Sequence, residues 1–378
     1  MSSMNTAMPE PSVHTKYQLK EVINASGRMT KLGVSTPAEE TRQAMLQGAG
    51  HYFEMSDLVD KTGAFLARLL QVEDAVVVSC AAAGIAQSVA AMIVRGDPYR
   101  LEHLHAHAHD VPCEIVIPKG HNVNFGAPIS TMVNLGGGKV VEAGYANECS
   151  ASQLAAAITP RTAALLYIKS HHCVQKSILN VAQAAEIAHA HQLPLIVDAA
   201  AEEDLQRFVH EGADLVIYSG AKAIEGPTSG LVLGRQEYVQ WVKQQSAGIG
   251  RAMKIGKEGI LGLTRAIERY VATPAETATA MTERMMPLVD ALNALPGIHS
   301  RPVRDAAGRD IARCEIRIDA ERFGMDAITV ATRLEQGQPA IYCRGYKANE
   351  GIIEIDVRSV SAKQLLQIRD ALCQLNQE

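Results

Sequence analysis

Seven short apolar runs, most of them separated by stretches long enough for a crossover helix and the last two by a turn, constrain most tightly what this chain of 378 residues can fold into. They are AVVVS ending at Ser79, CEIVIP from Cys113, KVVEAG from Lys139, AALLYIK from Ala163, PLIVD ending at Asp198, ADLVIYSG, and the run that closes GPTSGLVLGR. Runs of this kind read as strands buried on both faces, and parallel strands need a helix-length connection between them. The pattern predicts an α/β fold: a large three-layer αβα domain around a mostly parallel seven-stranded sheet. After Gly250 the pattern changes. A long helical stretch from Lys257 towards Leu292 leads to strands such as CEIRID and GIIEIDVR and a last helix from Ala362. This predicts a smaller C-terminal α+β domain. The boundaries read from the sequence are 1–27 for an N-terminal segment, 28–256 for the large domain, and 257–378 for a linker helix and the small domain.

A formal net charge of -5 with mixed signs argues against a nucleic-acid partner, which would draw on clustered Lys and Arg. Seven cysteines at irregular spacing suggest reduced thiols rather than a disulfide framework. The start, MSSMNTAMPEPSVHTKYQLKEV, lacks an apolar signal core, and no run of apolar residues is long enough to span a bilayer. The expectation is a soluble cytoplasmic protein with no membrane contact.

Two strand ends carry chemistry. PLIVD closes on Asp198, and the turn after ADLVIYSG delivers Lys222, with one helix-length stretch between them. A right-handed strand-helix-strand unit brings both to the carboxyl edge of a parallel sheet, where ligands bind. An aspartate and a lysine so placed are what a pyridoxal phosphate site requires. The amine forms an imine with the cofactor aldehyde, and the carboxylate keeps the pyridine nitrogen protonated. Singly, each has a plainer reading: a solvated lysine in a Gly-Ala turn, and an aspartate capping the next helix. The segment VVVSCAAAGIAQSVAAMI enters an Ala-rich helix through small residues, so amides near Ala82, Ala83 and Gly84 would face an anion such as the cofactor phosphate, with Ser79 adding a hydroxyl. Close helix-sheet packing is the alternative reason for small residues there.

VINASGRMTKLG, SCAAAG, VDAAAEEDL, YSGAKAIEGPTSGLVLGR, RAMKIGKEGILGL and EIDVR together resemble the selenocysteine synthase-like group of fold-type-I pyridoxal phosphate enzymes, over nearly the whole chain from about Glu21. GRMTKLG, HYFEMSDLVDKTG, GHNVNFG and DAAAEEDL resemble the ammonia-lyases within it. The resemblance implies Lys222 as the cofactor-linking lysine, Asp198 as the ring-nitrogen partner, and Ser79, Ala82, Ala83, Gly84 and Ser219 around the phosphate. It further implies His121 against the ring, stacking or handling a proton, and Ser170 and His171 near the cofactor oxygen or substrate. Arg358 is the expected carboxylate binder, with Arg28, Lys31, Arg251, Lys254 and Lys257 as further anion-binding candidates. An exposed strand arginine and ordinary surface cations are the plainer readings of these.

The implied activity is dehydration and deamination of a 2-amino-2-deoxy sugar acid, with D-glucosaminate 6-phosphate as the expected substrate and pyridoxal 5'-phosphate as cofactor. Racemisation, amino transfer or a seryl-tRNA selenium transferase-like reaction could run on the same electron sink. At least a homodimer is implied, and no tRNA. LEHLHAHAHD places His103, His105, His107 and His109 alternately, which on a strand would share one face and could hold zinc or nickel. The tract reads instead as a solvated connection or an oligomer contact, and no metal is expected.

Overall fold

A computed structural model describes residues 12–170, 173–305 and 309–377, and two compact units divide it at Val34 and Pro274. Among the described residues twelve strands form two sheets. In chain order they are β1 (Val22–Ala25), β2 (Asp74–Val78), β3 (Glu114–Pro118), β4 (Lys139–Ala143), β5 (Thr162–Ile168), β6 (Leu195–Asp198), β7 (Leu215–Ser219) and β8 (Gly230–Gly234), then β9 (Ile298–Arg304), β10 (Ala312–Ile318), β11 (Ala340–Lys347) and β12 (Ile352–Asp356).

The unit Ser35–Pro274 holds the seven-stranded sheet in the order β2-β8-β7-β6-β5-β3-β4. The pairings are parallel except that β8 runs antiparallel to both β2 and β7. Side chains alternate across the sheet, as a period of two requires. Ala75, Val77, Val116, Leu165, Tyr167, Val197, Val216 and Leu231 enter one core with helices Met55–Leu70, Val181–Ala190 and Lys257–Ala272. Val76, Val78, Ile115, Ile117, Leu166, Ile196, Ile217 and Val232 enter the other with helices Ala81–Val94, Ile129–Leu135 and Gln236–Gln244. The three-layer α/β architecture and its seven strands are those expected from the apolar runs.

The unit of 12–34 and 275–377 has a five-stranded sheet in the order β1-β11-β12-β10-β9. Its own core is built from helix Ala278–Asn293 (Met281, Met285, Leu288), the sheet (Ile316, Ile353, Ile355) and helix Ala362–Leu375 (Ile368, Leu372).

The unit boundaries correct those read from the sequence. Helix Lys257–Ala272 buries Ile260, Leu263, Ala266 and Ile267 in the larger unit's core and belongs to it. The stretch to Leu292 is two helices, interrupted at Thr273, which the following Pro274 biases to the extended conformation it adopts, and restarted by Thr277, whose side chain caps the Ala280 amide at 3.2 Å. The N-terminal segment is part of the smaller unit, because β1 pairs in parallel with β11 from Val22↔Ala340 to Ala25↔Cys343.

Candidate active site

The carboxyl ends of β5, β6 and β7 lie in register through Ile168↔Asp198↔Ile217. Backbone pairing continues beyond them: Lys169 N–H donates to the Asp198 carbonyl at 2.8 Å, Ala199 N–H to Ile217 at 2.9 Å and Ser219 N–H to Ala200 at 3.2 Å. Asp198 therefore sits on a rigid edge with 9% of its surface exposed. Burial pushes its carboxyl up to about 6, against the pull of the Ala200 amide, which donates to Oδ1 at 3.1 Å, and of the Lys222 ammonium. A cationic partner would relieve that cost.

Lys222 is half-buried in the turn joining β7 to β8. That turn is closed by Gly220 N–H to Ser229 carbonyl and Gly226 N–H to Gly220 carbonyl, both 2.8 Å, and by the Ser35 hydroxyl on the Ala221 carbonyl at 2.7 Å. A Cβ on Gly220 would lie 2.1 Å from Ser229 Oγ, so only glycine lets the turn fold this tightly. The lysine is thus delivered by a fixed backbone to the neighbourhood of Asp198.

Because β8 is antiparallel, its first residue stands between the ends of its neighbours: Gly230 pairs with Val78 and with Ser219. The turn after β2 crosses directly over it. A Cβ at Gly230 would meet the Cys80 carbonyl carbon at 2.6 Å and the Ala81 nitrogen at 2.8 Å. Ser79, Cys80, Ala81 and Ala82 are half-buried here, at the start of the fourteen-residue helix Ala81–Val94. Ser219 pairs with Gly230 on one side and Ser79 follows its other partner, Val78, just past the end of β2, and the helix N-terminus supplies amide donors and positive potential.

Two of the expected phosphate donors are otherwise engaged. The Gly84 amide closes the first helical hydrogen bond to the Cys80 carbonyl at 3.0 Å, and the Ala83 amide is capped by Cys80 Sγ at 3.3 Å. Gly84 is instead a packing residue, since a Cβ there would meet Ile217 Cγ2 at 3.0 Å and Val232 Cγ2 at 3.2 Å. Sequence reasoning missed Cys80 as the N-cap; its signal was the position directly before an Ala-rich helix.

His121 differs from the expectation of a residue against the cofactor ring. It follows β3 in a short turn, is fully buried, accepts the Ile168 amide on Nδ1 at 3.3 Å and meets Tyr167 edge to face at 4.5 Å. Stacking needs an open face, and this ring has none. Burial pushes its pKa down to about 4, opposed by the Val174 carbonyl and reinforced by Lys169, so it is neutral and braces the end of β5. Ser170 is half-buried at that end, while His171 lies outside the described residues. Lys169, not foreseen, reaches Gln175 Oε1 at 3.3 Å. Cys173 is buried, its thiol pushed up to about 12 by burial and by the nearby Asp198 charge.

Among the basic candidates of this unit, Lys257 holds a backbone turn: Nζ donates to the Ala49 carbonyl at 3.3 Å and to that of His51, and lies 5.2 Å from the Tyr52 ring centre. It secures the C-terminus of helix Glu39–Gly50 and is occupied by that task. Arg251 and Lys254 are exposed on and after the turn Ile249–Met253.

In the smaller unit Arg358 is not on an exposed strand. It stands in the turn Val357–Ser359 and grips Asp356 with Nε on Oδ1 at 2.9 Å and Nη2 on Oδ2 at 2.8 Å. Asp356 is fully buried and also receives Arg313 Nε at 3.2 Å. Despite the opposing effect of burial, the Arg358 and Arg313 cations hold its carboxyl down to about 2. Gly27 presses on this pair, since a Cβ there would lie 2.9 Å from Asp356 Oδ2 and 3.4 Å from Arg358 Nη2. The motifs ASGR and EIDVR, far apart in sequence, form one corner that places Arg28 beside it in the chain. Lys31 Nζ lies 4.9 Å from the Tyr342 ring centre.

The residues at the larger unit's sheet edge fit a pyridoxal phosphate: an amine, a buried carboxylate in need of a cation, and a helix N-terminus flanked by two serines. A family model described as SelA, L-seryl-tRNA selenium transferase, matches residues 22–295. The chain belongs to that family. Its members are pyridoxal phosphate enzymes of fold type I, and so is the fold of this SelA-family chain. It is 44% identical to the D-glucosaminate-6-phosphate ammonia lyase of Salmonella typhimurium over 94% of this chain and 95% of that protein. It is 41% identical to a 5'-C-glycyluridine monooxygenase-decarboxylase of Streptomyces over 90% of this chain and 86% of that one. A solved structure of D-glucosaminate-6-phosphate ammonia-lyase superposes with a TM-score of 0.93 at 43% identity, covering 97% of this chain and 98% of that chain.

Proposed function

We propose that this SelA-family enzyme is a pyridoxal phosphate-dependent ammonia-lyase that converts D-glucosaminate 6-phosphate to 2-keto-3-deoxy-6-phosphogluconate and ammonia. The observation that carries the reading is the near-full-length likeness to the Salmonella ammonia lyase in sequence and to the solved ammonia-lyase in fold, together with Lys222 and Asp198 on one sheet edge.

When bound, the cofactor supplies an electron sink for the carbanion left by loss of the substrate's α proton. Lys222 would hold the cofactor, and its Nζ is the base that takes the proton from C2 of the substrate. Asp198, rigid on the end of β6, holds a positive charge at the ring nitrogen. Ser79, Ser219 and the amides at Ala81 and Ala82 hold the phosphate at the helix N-terminus. Arg358, its fork oriented by Asp356, holds the substrate carboxylate, and Arg28, Lys31, Arg251 and Lys254 are the candidates for the distal phosphate. The hydroxyl leaves C3 with its bonding pair and departs as water with the proton held on Nζ; C3 then gains a proton as the C2 nitrogen gives one up, and a second water displaces that nitrogen from C2 as ammonia. The net change is loss of one ammonia.

The test is to supply the purified, cofactor-loaded protein with D-glucosaminate 6-phosphate and measure ammonia and 2-keto acid. Equal amounts of both, absent in Lys222→Ala, are expected. The likeness to the Streptomyces enzyme favours a second reading, oxidative decarboxylation of a glycyl nucleoside. Oxygen uptake with 5'-C-glycyluridine, and no ammonia from the sugar acid, would replace the lyase reading with that one.

A further inference from the structure

The tract LEHLHAHAHD is a motif that the proposed chemistry leaves unused. It is neither strand nor loop: helix Pro98–His107 begins at Asp97, which caps Tyr99 and Arg100, and a 3-10 turn Ala108–Asp110 follows. The turn leads to the amino end of β3, opposite the edge that carries Lys222. Helical spacing sorts the four histidines differently from a strand. His103 and His107, four residues apart, share a face, while His105 points elsewhere. Tyr99 precedes them on that face and stacks on His103 at 4.3 Å, with 20° between the rings. The two imidazole centres are 6.2 Å apart.

Hydrogen bonds decide which nitrogen each ring has to offer. His103 Nδ1 lies 2.9 Å from the Tyr99 carbonyl oxygen, and His107 Nδ1 lies 2.8 Å from Asp110 Oδ2. Both partners only accept, so each Nδ1 is the donor and the neutral ring carries its lone pair on Nε2. A carbonyl or carboxylate behind the far nitrogen is how metal-ligating histidines are held, because it fixes the tautomer and raises the basicity of the other nitrogen. The helix C-terminus adds a negative potential at His107. Two imidazoles at this helical spacing can share one ion. With metal–nitrogen bonds of about 2.1 Å, coordinated rings stand roughly 5 Å apart, so a modest side-chain rotation closes the pair.

We propose that His103 and His107 form a surface chelate for a divalent first-row transition ion of the nickel and zinc type, with water completing its coordination. Imidazole donors favour these ions over magnesium or calcium. No group of three or more histidine, cysteine or acidic side chains placed to hold an ion is present among the described residues, which makes this a two-ligand site.

The test is calorimetric titration of the untagged, cofactor-loaded protein with nickel chloride after chelator treatment. One saturable equivalent per chain is expected. His103→Ala and His107→Ala should each weaken it at least tenfold, while His105→Ala and His109→Ala leave it unchanged, all four with unaltered circular dichroism. Absence of a saturable equivalent in the unsubstituted protein, or uptake that follows His105 and His109 instead, would overturn the proposal.

Discussion

Asp198 carries a charge where the protein alone makes charge costly, and that has a measurable consequence for the cofactor-free chain. Its carboxyl is raised from 3.8 to about 6 by burial. The native state therefore binds more protons than the unfolded state between those values, and this group's contribution to stability falls as pH rises through that window. Asp198→Asn should stabilise the cofactor-free protein at pH 7 by on the order of 3 kcal/mol, since the amide oxygen can still accept from Ala200, and should do little near pH 4. Urea unfolding of both proteins at the two pH values checks this; equal stability at pH 7 would refute it. The same substitution should abolish turnover, because the charge that weakens the empty fold is the one the ring nitrogen needs. The places of Lys222 and Asp198 were legible in the sequence because Asp198 ends an apolar run and Lys222 stands in the turn directly after one. His121, Gly84 and Lys257 were not. Their tasks depend on a Tyr167 ring edge, the Ile217 and Val232 methyls, and the carbonyls of Ala49 and His51, contacts that no local pattern announces.

Between elements, the decisive joint is the crossing of the turn after β2 over the start of β8. Gly230 has no room for a side chain against the Cys80 and Ala81 backbone, and those backbone atoms belong to the proposed phosphate cradle. Gly230→Ala must displace the turn, and the helix N-terminus with it. We expect cofactor affinity to fall at least tenfold, read by titrating cofactor-free protein with pyridoxal phosphate, while the sheet remains folded by circular dichroism. Unchanged affinity would separate this turn from phosphate binding. GPTSG was readable as a turn into a strand, but its close approach to SCAAAG required the strand order, in which β8 inserts between β2 and β7. The histidine tract shows the same limit at another place. Alternate residues suggested a strand period, whereas Asp97 as cap and Pro98 at the first helical position set a helix, and the pairing of histidines changed with it.

At the scale of the molecule, each unit encloses its own core, and the proposed tasks divide along that line. The sheet edge of Ser35–Pro274 carries the residues proposed for the cofactor, whereas Arg358, Asp356 and Arg313 belong to the unit completed by β1. The sequence showed the small sheet only through CEIRID and GIIEIDVR. It concealed β1, because four residues near the chain start pair with a strand more than 300 positions later, and long-range pairing leaves no local period. Truncating the fork removes a charge-assisted, two-bond contact to a carboxylate, a loss of roughly 1.5–3 kcal/mol per charged hydrogen bond. Arg358→Ala should therefore raise KM for the sugar acid by tenfold or more, with kcat lowered less and with the visible absorbance of the lysine-bound cofactor unchanged. Steady-state kinetics beside an absorbance spectrum decides the matter: a lost cofactor band with normal KM would move Arg358 from the substrate carboxylate to the cofactor.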